Sequence, residues 1–185
     1  MDDKGLKRLA DRALILRCQL GEDSAFERLV GGYHRRLRYF IRQLVGSTDV
    51  ADDVLQEIWV TVFRKIATLR SPDAFVPWLY SVARHKAYHA IRRPAHVHLK
   101  EDCEVVAGAD EGQSIEFYDG DQVHGALGIL SPEHREVLIL RYFEQMPYSD
   151  IAEAVGCPVG TIRSRLNTAK RRMRDHLERT DCHEQ

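Results

Sequence analysis

Residues 131–177, SPEHREVLILRYFEQMPYSDIAEAVGCPVGTIRSRLNTAKRRMRDHL, constrain this chain more than any other stretch. The run divides into a helix, a short break, a second helix, a tight turn at Gly156-Cys157-Pro158 and a long basic helix. Ser131 is placed to cap the first helix, with Pro132 at its first position and Glu133 beside its positive end. Ser149 is placed to cap the second, and Gly156 supplies the backbone freedom that a sharp turn needs. This order of elements is that of a helix-turn-helix.

The long basic helix has two unlike sides. Val159, Ile162, Leu166, Ala169, Met173 and Leu177 recur at three- and four-residue steps and form an apolar stripe. Thr161, Ser164, Arg165, Asn167, Thr168, Arg171, Arg172 and Arg174 fall opposite. Short hydroxyls and arginines near a helix N-terminus suit base edges in a major groove. On this reading Ser164, Arg165 and Thr168 face bases, while Arg171, Arg172 and Arg174 meet phosphates. A basic helix on a bundle is also often just solvated; the turn and the two preceding helices favour the DNA reader.

The 185 residues carry a net charge of only −1, which alone argues against a nucleic-acid partner. The distribution reverses that argument. No Lys or Arg lies between Lys100 and Arg135, a stretch rich in Asp and Glu, so cationic surface is concentrated on either side of it. The four cysteines, Cys18, Cys103, Cys157 and Cys182, form no CxxC pair. No export signal opens the chain and no apolar run is long enough for a bilayer, so a cytoplasmic protein with reduced thiols is expected.

Periodicity predicts further helices. One spans 24–45, with a capping box at Ser24 and Glu27 and a buried stripe of Phe26, Leu29, Val30, Tyr33, Leu37, Phe40, Ile41 and Leu44. A second spans 49–67 through Val50, Val54, Leu55, Ile58, Trp59, Val62, Phe63 and Ile66. After a loop at 68–73, a third runs to Arg93, where Pro94 stops it. An earlier helix over 6–20 rests on Leu6, Leu9, Ala13, Leu14 and Leu20. Residues 94–122 hold no period and read as a flexible acidic linker. The expected fold is all-α: two small helical domains at 1–93 and 123–178, with a disordered tail at 179–185.

Two more surfaces stand out. The helix 74–93 packs through Leu79, Val82, Ala83, Ala87, Ala90 and Ile91, and gathers Trp78, Arg84, His85, Tyr88, His89 and Arg92 on its other side. Rings interleaved with cations suit single-stranded nucleic acid, although Trp78 equally fits a core. Asp52, Asp53, Gln56 and Glu57 open an otherwise apolar helix; they favour its dipole and also fit a protein-docking surface. Arg35, Arg36, Arg38 and Arg42 form a basic face that solvent alone explains. His96, His98 and Cys103 are too loosely spaced for a structural zinc site, so no metal or other cofactor is expected. No phosphate loop, nucleophile motif or paired acid and base marks an enzyme.

Three stretches, in this order, resemble bacterial sigma factors of the extracytoplasmic-function (ECF) group. Ala51-Asp52-Asp53-Val54-Leu55-Gln56-Glu57 is similar to the family's A-E-D-L-V-Q-E, with Asp in place of Glu at 52. Phe75-Val76-Pro77-Trp78-Leu79-Tyr80-Ser81-Val82-Ala83-Arg84 is similar to F-x-x-W-L-x-x-I-A-R. Leu130-Ser131-Pro132 with Gly160-Thr161-Ile162-Arg163-Ser164-Arg165-Leu166 completes the set. The resemblance covers about 24–93 and 123–177. It implies core RNA polymerase docking through Asp53, Gln56 and Glu57. It implies that Trp78, Arg84, His85, Tyr88, His89 and Arg92 hold the melted minus-10 element of promoter DNA. It implies reading of the minus-35 duplex by Thr161, Arg163, Ser164, Arg165, Thr168, Arg171 and Arg172. An anti-sigma partner is a further expectation. A stand-alone helix-turn-helix regulator would instead bind duplex without polymerase, and a metal-responsive regulator would retain metal at His96, His98, Cys103 or Cys182.

Overall fold

The structure is a computed structural model that describes residues 3–92 and 127–181. The expected linker at 94–122, with His96, His98 and Cys103, lies outside the described residues, as does Cys182. The fold is all-α: every regular element among the described residues is helical. They fall into two compact units, one built on the first four helices and one on most of the residues from Leu127 onward. No described helix is long and apolar enough to cross a membrane.

The first unit comprises α1 (Asp3–Gln19), α2 (Asp23–Val45), α3 (Thr48–Lys65) and α4 (Phe75–Arg92). Helix α2 is its spine. Ala25, Leu29, Tyr33, Leu37, Phe40, Ile41 and Leu44 are buried along one stripe, and α1, α3 and α4 all pack on it. The helix ends where Gly46 adopts φ 76° and its amide donates to the Arg42 carbonyl at 2.9 Å. Ser47 then caps α3 by accepting from the Val50 amide at 3.5 Å. Helix α4 closes the bundle with small residues, Ala83, Ala87 and Ala90, which let neighbouring backbones approach. Edge-on ring pairs, Phe40 with Tyr80 at 5.1 Å and Tyr33 with Phe75 at 5.5 Å, join α2 to α4.

Several local expectations differ. Helix α2 begins after Glu22, which replaces the capping box: Ser24 donates to Glu22 Oε1 at 2.8 Å, and Arg17 pairs with the same carboxylate. The Arg17 and Ser24 bonds hold the Glu22 carboxyl down to about 2. Phe63 is 58% exposed and Trp59 only half-buried; Phe26 meets both rings edge-on at the margin of the core. On α4, Ile91 is exposed and Val82 half-buried. On α1 the phase is different: Ile15 and Cys18 are buried, whereas Leu9 and Ala13 face out, as does Leu20 just past its end. The predicted loop at 68–73 contains parts of two 3-10 turns, Ile66–Thr68 and Pro72–Ala74. The Gln19 side-chain amide donates to the Ile66 and Leu69 carbonyls at 3.1 and 2.8 Å, tying α1 to this connection.

The helices after Leu127 are α5 (Pro132–Leu138), α6 (Tyr148–Val155) and α7 (Val159–Asp181), with a π turn over Ile139–Phe143. Ser131 precedes α5 without capping it; its Oγ lies 2.6 Å from His134 Nδ1. Ser149 is inside α6, one residue past its start, and donates to Asp150. The turn residue Gly156 has φ 74°. Arg135 donates to the carbonyls of Leu127, Gly128 and Leu130 at 2.9, 3.0 and 3.0 Å, sewing the preceding turn to α5. Helix α7 continues to Asp181, past the expected boundary at 178.

Because Phe40 is fully enclosed between α2 and α4, Phe40→Ala should destabilise the first unit by about 3–5 kcal/mol. Chemical denaturation read by tryptophan fluorescence measures this; a loss below about 1 kcal/mol would contradict the packing described.

Candidate nucleic-acid interface

Helix α4 is held by its apolar side, which leaves the other side to the predicted aromatic and cationic residues. His85, His89 and Arg92 are exposed, and Trp78, Arg84 and Tyr88 are half-buried. The Arg84 guanidinium lies over the Tyr88 ring, 4.8 Å from its centroid. The Trp78 ring lies 6.1 Å from the buried Phe75 ring and is tilted 51° to it, which ties the indole to the core. All six residues fall on one side of α4, in a form that can stack unpaired bases and meet phosphates.

Helix α7 is built on the same plan. Ile162, Leu166 and Ala169 are buried, Val159 and Met173 partly so, and α5 packs against this helix. Arg163, Ser164, Asn167, Lys170, Arg171, Arg172 and Arg174 are exposed, and Thr161 and Thr168 are half-buried. Ser164 donates its hydroxyl to the Thr161 carbonyl at 2.9 Å, so its oxygen remains to accept. Arg163 and Arg141 lie over the Tyr148 ring at 6.0 and 5.0 Å. Arg165 does not share the expected exposure. Its side chain is 27% exposed, and Nη1 lies 3.6 Å from Oε1 of the fully buried Glu136.

The acidic opening of α3 separates into two parts. Asp52 turns back to α2, accepting from Arg38 at 2.6 and 3.0 Å. That bidentate pair, above all its hydrogen bonds, holds the Asp52 carboxyl below its ordinary range. Asp53, Gln56 and Glu57 stay exposed on one face. They line an open recess of about 520 Å³ with Val60, Thr61 and Arg64, and Lys86 of α4 donates to Glu57 at 2.9 Å across it. Sequence reading passed over Glu136, Tyr148, Lys170 and Lys86. Only Lys170 had a local signal, as a further cation on the basic face of α7. No group of three or more metal-binding side chains converges among the described residues.

One helical unit thus carries an aromatic and cationic helix face, and the other ends in a short helix, a turn at Gly156 and a long basic helix. Residues 29–96 match Sigma-70 region 2 and residues 120–173 match Sigma-70 region 4. The RNA polymerase sigma-H factor of Pseudomonas aeruginosa is 32% identical, over 86% of this chain and 90% of that protein. The ECF RNA polymerase sigma-E factor of Haemophilus influenzae is 30% identical, over 93% and 97%. Among solved structures, the sigma factor RpoE of Bartonella quintana, in complex with the anti-sigma factor NepR, is 25% identical with a TM-score of 0.69, over 83% and 96%. The chain therefore belongs to the sigma-70 family of RNA polymerase sigma factors, in its ECF group.

The Arg38–Asp52 pair has a pH consequence. Asp52 is depressed in the folded state, so its contribution is fully present above the ordinary aspartate range and is lost as pH falls through the lower folded value. Asp52→Asn should therefore flatten the acid side of the stability profile. Thermal melts between pH 2 and 6 test this; an unchanged acid limb would show that the pair contributes nothing.

Proposed function

We propose that this ECF sigma factor docks core RNA polymerase through Asp53, Gln56 and Glu57. In this reading it holds the melted minus-10 strand on Trp78, Arg84, His85, Tyr88, His89 and Arg92. It reads the minus-35 duplex through Thr161, Arg163, Ser164 and Thr168, with Arg171 and Arg172 on phosphates. The observation that carries the reading is the pairing of two reading helices in one chain. Each is buried on one side and cationic on the other, and they belong to separate units. Residues 1–93 would serve the polymerase and the minus-10 strand, residues 94–122 would be the tether, and residues 123–178 would serve the minus-35 duplex.

The work is binding, not bond chemistry. Duplex phosphates attract α7, and a helix of its width enters the major groove. Once strands part, each base stacked on a ring contributes about 1–3 kcal/mol, enough to keep a strand open. Neither contact alone is large. Holding both units on one polymerase turns the second contact into an intramolecular event at high effective concentration. The recess beside Asp53 and Glu57 pairs carboxylates with Val60, which suits a partner helix that is basic along one edge and apolar along another. The solved RpoE relative is bound to an anti-sigma factor, and a partner of that kind would regulate this chain in the cytoplasm. Copurification with core polymerase, followed by transcription from a promoter library, tests the reading. A chain that binds duplex specifically while ignoring polymerase would be a stand-alone regulator instead.

Two substitutions separate the roles. Asp53→Lys with Glu57→Lys should weaken core polymerase binding at least tenfold with helix content unchanged, by fluorescence anisotropy and circular dichroism. Unaltered affinity would move the docking surface elsewhere. Trp78→Ala should lower open-complex formation more than closed-complex binding, read by permanganate footprinting. Equal losses in both, with a lowered melting temperature, would make Trp78 a packing residue.

A further inference from the structure

Glu136 is the only charged or polar side chain in the buried set among the described residues, with 0% exposure, and it belongs to α5. Facing it on α7 is Arg165, whose Nη1 is itself enclosed, makes no hydrogen bond, and lies 3.6 Å from Glu136 Oε1. The charged neighbours on α5 lie around the same guanidinium. The Glu133 carboxyl is held low mainly by its own backbone amide, with Arg165 adding to the effect. His134 is held low by burial and by the nearby cations of Arg172 and Arg165. Thus Arg165 directs its charge inward to α5, while Arg163, Ser164 and Asn167 remain on the exposed side.

We infer that Glu136 and Arg165 together set the rotation of α7 about its axis, and that Arg165 is a positioning residue instead of a base reader. Rotation matters because neighbouring residues on a helix point about 100° apart. A small turn of α7 would exchange the side chains that meet the groove. Removing one side of a buried ion pair costs more than replacing both sides by apolar groups. The inference rests on α7 being the minus-35 reader. If the wild-type holoenzyme shows no minus-35 preference, that reading fails first and this one is not reached.

The test uses the full chain bound to core polymerase, with two variants. Glu136→Gln keeps shape but removes the charge that holds Arg165, so the guanidinium should swing to a phosphate. The slope of log affinity against log salt should then steepen by about 1. A change in packing alone would not move that slope. The double variant Glu136→Leu with Arg165→Met replaces the pair by apolar residues of similar volume. The chain should still fold, but in a promoter-library selection it should weaken the minus-35 preferences at several neighbouring base pairs together, because the rotation of α7 is no longer fixed, and unchanged preferences would overturn the positioning role. Loss of preference at a single base pair in the double variant would make Arg165 a base reader and overturn the inference. An unchanged salt slope in Glu136→Gln would overturn the role of Glu136. If Glu136→Gln does not fold, the double variant decides alone.

Discussion

A helix can offer a fixed set of side chains to DNA only if its opposite face is locked in a core, and this constraint governs both units. In α4 the lock is a row of alanines and the rings of Phe75 and Tyr80, set against α2. In α7 it is the stripe Ile162, Leu166 and Ala169, set against α5. Small or branched apolar residues at these positions bring the backbones close and leave little freedom to roll. The cationic face of α4 is therefore presented by packing, and that of α7 by packing together with the inward Glu136–Arg165 pair.

Charge placement follows a similar division between structural and available groups. Asp52 and Asp53 are neighbours in sequence, yet one closes a bidentate pair with Arg38 and the other stays exposed beside the recess. Arg163 and Arg165 are two residues apart, yet one lies over Tyr148 at the surface and the other faces buried Glu136. Helical geometry turns the first pair about 100° and the second about 200° from one another. One residue then contributes to the fold while its neighbour is left for a partner. A near-neutral net charge fits this economy, because cations are concentrated where DNA would lie and offset elsewhere.

Much of this was legible in the sequence, and the failures have physical causes. The α2 stripe was readable because polar residues fill the rest of its circumference, so the 3.6-residue period has one phase. In α1, the leucines at 9, 14 and 16 occupy more than one face, and the choice of Ile15 and Cys18 as the inner face comes only from tertiary packing. Caps were misassigned where a competing partner lay nearby: Ser24 meets Glu22, Ser131 meets His134, and Ser149 meets Asp150. Gly46 and Gly156 were readable because a positive φ leaves few alternatives to glycine. The inward setting of Arg165 had no local signal, since it depends on a carboxylate from another helix. The acidic stretch 94–122, outside the described residues, remains known by composition.

The central claim is that two separate DNA contacts act as one when core polymerase holds both units. Changing the promoter spacer between the two elements one base pair at a time, and counting heparin-resistant open complexes, tests it most directly. The account predicts a sharp optimum in spacer length, which disappears when Arg163 and Arg172 are both replaced by alanine. Open-complex formation that is indifferent to spacer length in the unaltered protein would contradict it.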